Sequence, residues 1–287
     1  MRPLPASRPC GSTSRRHHGV TVSVQDPAAL APRSTRFHTS ERTLLLSEAL
    51  PETGVRFALA RTVARLDAPE VVAAAAEDPR LTTEEARQRC REALYSYFAG
   101  ALLFPYEHFL TAAEGLRYDI ERLQQRFGGS FEQVCHRLCT LRRAGREGIP
   151  FHFVRTDIAG NIDKRFSASG LRLPHYGGAC PRWVLYSAFR HPGETLRQLA
   201  RMPDGTSYLF VARALTGANH GFSSPRSHYS VMIGCDMVYA RDIAYADGLS
   251  THPEATVEVG VSCRHCPREA CAQRAHKRLP QGGEANR

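Results

Sequence analysis

Three thiols near the end of the chain carry the clearest chemical signal: Cys263-Arg-His-Cys266-Pro-Arg-Glu-Ala-Cys271, a C-x2-C-x4-C run. Two cysteines three apart can chelate one soft cation from a tight turn, and a third five residues on can join them. Three ligands leave a tetrahedral site open, so a fourth thiolate is needed. Cys180 is the chosen fourth ligand, with Cys235 as the other distant candidate. Zinc is the first choice of metal, and an iron–sulfur cluster is the alternative, since thiolates suit both. Three reduced thiols packed in a turn is the plain reading beside these. Cys10, Cys90, Cys135 and Cys139 read as tail or core thiols.

The run and its continuation Gln273-Arg274-Ala275 resemble the C-terminal signature of the short-chain fatty acyl-CoA regulators, a family of bacterial transcription factors. Four further stretches look like that family's other blocks in the same order. They are Gly177-Gly178-Ala179-Cys180-Pro181-x-Trp183, Met202-Pro203-Asp204-Gly205-Thr206, Gly234-Cys235-Asp236 and Tyr245-Ala246-Asp247-Gly248-Leu249. Together these blocks span roughly residues 150 to 280.

The first half has its own resemblance. Arg56-Phe57-Ala58-Leu59-Ala60, followed later by Ser96–Pro105, is similar to the ImmA/IrrE metallopeptidase-like domain. Active members of that family follow the first block with His-Glu-x-x-His, two imidazoles on one helix face and a general base between them. Here Arg61, Thr62 and Arg65 stand at those positions, and Glu92 lies where a third ligand is placed. Guanidiniums cannot ligate Zn²⁺ and a threonine cannot take a proton from water. No enzyme activity is expected.

Composition sets the outer limits. The 287 residues are 42% apolar and 23% charged, enough for a soluble protein of two domains. No run of 18 apolar residues is present, so no membrane partner is expected, and the first 16 residues lack the apolar core of a secretory signal. Nine cysteines without a signal suit a reducing, cytoplasmic setting. The net charge of +10 is carried almost wholly by arginines spread along the chain, with Lys164 and Lys277 the two lysines. No P-loop and no G-x-G-x-x-G is present, so a nucleotide site of those kinds is not supported.

The elements expected to position these groups are as follows. Residues 1–16 read as a disordered tail, and 17–36 as irregular chain with one short strand near Val20–Val24. From Leu44 the pattern reads as helical, with helices over Gly54–Leu66 and Glu70–Glu77. A long helix, opened by a capping box at Thr82-Thr83-Glu84-Glu85, turns Leu94, Tyr97, Phe98, Ala101 and Leu102 inward. One more helix runs over Tyr106–Phe127, and Ser130 with Gln133 caps the next. Tyr118–Leu141 has the outline of a helix-turn-helix, with Arg137, Arg142, Arg143 and Arg146 available to phosphates. The same spacing suits a helical hairpin packed on the pseudo-peptidase domain with its arginines in solvent, which is the preferred reading. After Pro150 a hairpin is expected from Phe151–Arg155 and Ile162–Phe166, then helices over Trp183–Phe189 and Gly193–Arg201. Tyr208–Leu215 and His228–Gly234 read as strands.

The expected fold is therefore α+β: a helical ImmA/IrrE-like domain over 17–145, then an α+β, sensor-like (GAF/PAS-like) domain over 146–280 with a cysteine-rich end, and a tail over 281–287. The resemblance implies a transcription regulator, or its sensing part, that answers to short-chain acyl-CoA and controls acetate and propionate genes. It implies a homo-oligomer, and DNA contact through a helix-turn-helix domain that this chain lacks and that is either missing or supplied separately. Arg226, Arg241, Arg264 and Arg268 are the candidates for the CoA phosphates, and the strands Tyr208–Leu215 and His228–Gly234 for the acyl pocket. A zinc peptidase and a stand-alone metal or redox sensor are the competing functions.

Overall fold

The computed structural model describes residues 18–30, 33–174, 178–218, 226–250 and 255–279. The expected tails over 1–16 and 281–287 and Cys10 lie outside the described residues. Packing divides the chain into two units, one running to Pro105 and the other from Tyr106 to Gly217 and on from Arg226.

The first unit begins with a three-stranded sheet, β1 (Thr21–Gln25), β2 (Thr35–His38) and β3 (Thr43–Ser47), in the order β1-β3-β2. Strand β1 runs parallel to β3, while β2 runs antiparallel to it. A short helix, α1 (Pro27–Leu30), makes the crossover between the parallel strands. The sequence reading had one short strand here and helix from Leu44. The structure corrects it: Leu44 and Leu46 alternate onto the buried face of a strand and pack with Val20 and Ala58. Pairing with a strand some twenty residues away decides this, and a local pattern does not report it.

Three helices follow: α2 (Glu52–Asp67), α3 (Pro69–Ala75, with proline in the first turn) and α4 (Glu84–Leu103). The Thr83 side chain caps α4 by accepting from the Ala86 N–H, one residue later than the expected box. Ala99 is the fully buried position of α4. Tyr97 and Leu102, expected inward, are 46% and 49% exposed, so the helix leans on α2 by a different stripe.

The second unit opens with α5 (Tyr106–Gly115), α6 (Ile120–Phe127) and α7 (Phe131–Cys139). The expected single helix over 106–127 is broken because Arg117 and Tyr118 take left-handed backbone angles, φ 50° and 56°. Gly128, at φ 63°, ends α6 in the conformation only glycine adopts freely, and the Ser130–Gln133 capping box starts α7 as expected. The α6–α7 pair is a helical hairpin, as expected, but it packs with the sheet of the second unit and its arginines are not all in solvent. Arg137 is 3% exposed, while Arg143 and Arg146 hydrogen-bond Glu107 and Glu114.

A two-residue ladder, β4 (Arg142–Arg143) with β5 (Arg146–Glu147), leads into a six-stranded sheet. Its strands are β6 (His152–Asp157), β7 (Ile162–Ser167), β8 (Thr195–Arg201), β9 (Ser207–Thr216), β10 (His228–Asp236) and β11 (Val257–Glu258), in the order β11-β8-β9-β10-β6-β7. The β6–β7 hairpin and strands β9 and β10 lie where expected. Gly193–Arg201, read as a helix, is instead β8, paired along its length with β9. A single helical turn, α8 (Val184–Ser187), and a 3-10 turn at Ala188–Arg190 cover one face. There Trp183, Phe210, Met232 and Val154 form the core with Cys180.

The composition change near residue 145 is therefore not where packing divides the molecule. Helix α7 belongs with the sheet: its Glu132 carboxylate takes both Arg155 of β6, at 3.0 Å, and Lys164 of β7, at 2.6 Å. Tyr118 packs on Phe151 and accepts from the Ile149 N–H. Among the described residues no helix is long and apolar enough to cross a membrane.

Candidate functional site

Helix α2 places Arg61, Thr62 and Arg65 on one side, four residues bringing Arg61 and Arg65 to the same face. Helix α4 presents Gln88 and Glu92 to them. The Glu92 carboxylate accepts from Arg61 Nη2 at 2.6 Å and from Arg65 Nη2 at 2.6 and 2.8 Å. The four positions at which the peptidase resemblance puts two ligands, a base and a third ligand thus converge, with different chemistry. Thr62 is buried and spends its hydroxyl on the Ala58 carbonyl at 2.9 Å, so it is no base. Arg65 also lies over the Tyr95 ring, 5.0 Å from its centre. Strands β2 and β3 close the other side with Phe37 and Leu44, and the resulting cleft holds about 570 Å³. Arg33 and Arg36 complete its lining. Neither was expected from the sequence, where 17–36 reads as irregular chain apart from one short strand; Arg36 is placed by the pairing of β2 with β3, and Arg33 lies just ahead of β2.

In the second unit, Trp183 anchors the cysteine-rich end. Its indole N–H donates to the Gly260 carbonyl at 2.9 Å, and the Cys180 N–H donates to Val261 at 2.9 Å. Cys266 seats against Gly260, where a Cβ would stand 2.7 Å from its sulfur. Cys263 Sγ accepts from the Ala275 N–H at 3.3 Å. Arg274 ties the loop together from within, bonding the carbonyls of Cys263, Cys266 and Arg268. Burial raises the Cys180 thiol pKa, and the nearby thiols of Cys263 and Cys266 raise it further. These three are neighbours, and Cys271 is half-buried in the same loop. Among the described residues no three His, Cys, Asp or Glu side chains are arranged to hold a metal ion. Cys235, the other candidate for the fourth ligand, sits with Leu209, Ile233 and Tyr245, apart from the Cys180 core.

The four arginines proposed for CoA are not brought together. Arg226 is exposed just ahead of β10, and Arg241 is exposed past its other end. Nine residues of strand separate those ends by about 30 Å. Arg264 is exposed in the cysteine loop. The Arg268 guanidinium is engaged by Val259 and Arg201 carbonyls at 3.1 and 3.0 Å and by Glu258 at 2.9 Å. It fastens the loop to β8 and β11.

The strands expected to line an acyl pocket do border an apolar space. Leu209 and Val211 of β9 and Ile233 of β10 face Tyr118, Ile120, Ile243 and Tyr245 across a seam of about 10 Å³. That is room for about one water. Tyr245 Oη accepts from the Ile120 N–H at 3.0 Å, and Arg117 clasps Asp247 with two bonds of 2.7 Å. The Tyr245–Leu249 block was legible as a motif; its partner, the left-handed corner at Arg117 and Tyr118, had no sequence signal.

Comparison with known proteins puts the family boundary at residue 139/140, inside the second packed unit and near the boundary expected from the sequence. Residues 15–139 match the IrrE N-terminal-like domain, and 140–284 match the short-chain fatty acyl coenzyme A regulator, C-terminal. The HTH-type transcriptional regulator PrpR of Mycobacterium tuberculosis is 41% identical over 263 residues, covering 91% of this chain and 54% of the relative. The propionyl-CoA carboxylase regulator of Cereibacter sphaeroides is 42% identical over 258 residues, covering 90% and 54%. RamB of Mycobacterium tuberculosis, also an HTH-type transcriptional regulator, is 38% identical over 247 residues, covering 85% and 52%. A solved Mycobacterium tuberculosis transcriptional regulator superposes with a TM-score of 0.85 at 39% identity, over 92% of this chain and 80% of that one. The chain spans about half the length of the curated relatives it matches. With both halves accounted for in the right order, the chain belongs to the short-chain fatty acyl-CoA regulator family.

Proposed function

We propose that this chain is the sensing part of a transcription regulator that binds a short-chain acyl-CoA. The observation that carries this is the family match over residues 140–284, which falls on a sheet whose β9 and β10 border an apolar seam. The acyl group enters that seam by displacing Tyr118 and Tyr245 from β9. Exposed arginines such as Arg226, Arg241 and Arg264 are available to the CoA phosphates, and Arg268 keeps its structural bonds. Titration calorimetry with acetyl-CoA, propionyl-CoA and free CoA tests it. The thioesters are expected to bind more tightly than free CoA, and Val211→Trp to abolish the difference by filling the seam. Equal binding of all three, or none below about millimolar, overturns the reading.

The regulatory output runs through DNA contact made outside the residues described, and the N-terminal unit is a scaffold without peptidase activity. Arg61, Thr62 and Arg65 support this, since the guanidiniums offer zinc no lone pair and the buried Thr62 hydroxyl, bonded to the Ala58 carbonyl, is no base for water. A casein-cleavage assay with added Zn²⁺ should show no turnover.

Cys180, Cys263, Cys266 and Cys271 are proposed to hold a soft metal. Their donor chemistry fits, with Cys180, Cys263 and Cys266 as neighbours and the Ala275 N–H aimed at the Cys263 sulfur. A metal there would pin the C-terminal loop against Trp183. Metal analysis of the purified protein separates zinc from iron, and a metal-free preparation refutes the site.

A further inference from the structure

We propose that the cleft of the N-terminal unit binds a phosphorylated small molecule. The cleft is built where a zinc peptidase would hold its metal, and its side chains reverse the sign of the ligand. Arg33, Arg36, Arg61 and Arg65 line it, and Glu92 is the one carboxylate among its lining residues. Four guanidiniums against one carboxylate leave a surplus of three positive charges. That carboxylate bridges Arg61 and Arg65 and holds their planar forks in place, which is the preorganisation a bound oxyanion needs.

Two further observations favour an anion. Arg61 Nε is a buried donor with no hydrogen-bond partner, and an unmet buried donor is costly. Burial lowers the Arg61 pKa, Arg65 adds to that, and Glu92 opposes it, so a second anion nearby would relieve the guanidinium. Arg33 and Arg36 are exposed at the cleft, with no carboxylate partner among the described residues.

The size and walls narrow the class. About 570 Å³ lies within the range of small-molecule sites and exceeds a bare phosphate. Phe37, Leu44 and Ala58 give one apolar wall, while Ser34, Thr35 and Gln88 offer hydrogen bonds. A dianionic phosphoryl group matches the charge surplus and takes several donors at once, whereas a monocarboxylate uses one fork. The ligand is thus a phosphate ester with an apolar or flat body. This site is distinct from the seam between β9 and β10.

Titration calorimetry of the full chain with phenyl phosphate, inorganic phosphate and benzoate tests it. Phenyl phosphate should bind tighter than either of the others. Arg61→Gln and Arg36→Gln should each weaken it about tenfold, the usual loss of a charge-assisted bond. Circular dichroism checks that both variants fold, and Arg36, being exposed, guards against the case in which Arg61→Gln does not. Saturating propionyl-CoA should leave the phenyl phosphate affinity unchanged. The proposal is overturned if benzoate binds as well as phenyl phosphate, if Arg36→Gln leaves the affinity intact, or if propionyl-CoA competes.

Discussion

The cleft of the N-terminal unit and the seam of the C-terminal unit handle polarity in opposite ways. The cleft is open, cationic and held by a partly exposed Arg–Glu–Arg bridge; the seam is closed, apolar and gathered round two tyrosines. Helices α2 and α4 keep positions 61, 62, 65 and 92 together whatever residues occupy them, because backbone packing sets the distances. Convergence of four positions is therefore a property of the scaffold, and chemistry is a second, separable layer. In the seam the two layers coincide, since the side chains that close it are also the core of the unit.

If that contrast holds, substitutions in the second unit should cost far more stability than those in the cleft. The largest loss is expected from Trp183→Ala. It removes a fully buried side chain from the core and the indole bond to Gly260, for about 3–5 kcal/mol by calorimetric or denaturant unfolding. A loss under about 1 kcal/mol would break the comparison.

Acidification sharpens it next. His152 is fully buried, with Ser169 on Nδ1 at 2.8 Å and no partner on Nε2, and burial lowers its pKa to about 3. The unfolded chain takes up the proton near pH 6.5 while the folded chain does not. Stability is thus full above pH 6.5 and falls as the pH drops toward 3, by roughly 2 kcal/mol at pH 5. His152→Phe should flatten that slope in urea melts run between pH 7 and 5.

Gly234→Ala probes the same spot sterically. The new Cβ would meet His152 Nε2 at 2.5 Å and the Leu209 carbonyl at 2.6 Å, so about 1–3 kcal/mol should be lost in thermal unfolding. By contrast, Glu92→Gln in the cleft should cost only about 1 kcal/mol, because all three members of the bridge stay partly hydrated. A cost above that of Gly234→Ala would show that the bridge holds the first unit together rather than merely shaping its cleft.

The features that sequence made legible were those written in adjacent residues. The Ser130–Gln133 capping box, the β6–β7 hairpin and the positions of Arg61, Thr62, Arg65 and Glu92 all fall in this class. What escaped depends on distant partners. Thr195–Arg201 consists mostly of good helix formers, with Leu196, Leu199 and Ala200 at helical spacing, yet it is a strand because β9 pairs with it and buries Leu199 and Ala200. The parallel β1–β3 pairing and the exposure of Tyr97 and Leu102 escaped for the same reason. At the functional sites, residue type and loop position do not report distance, and the span of β10 separates Arg226 from Arg241.

One feature of the seam has a mechanical meaning. Arg117 and Tyr118 are consecutive non-glycine residues in left-handed conformation, a state that costs of order 1–3 kcal/mol per residue. Asp247 on one guanidinium, and the Arg117 carbonyl accepting from the Ala244 N–H at 2.8 Å, hold that cost in place. The corner is in effect a cocked spring whose catch is the Tyr245–Leu249 block. Loss of that block's contacts would leave the strained corner without its restraints, so the turn between α5 and α6 is the place where the unit is expected to loosen first.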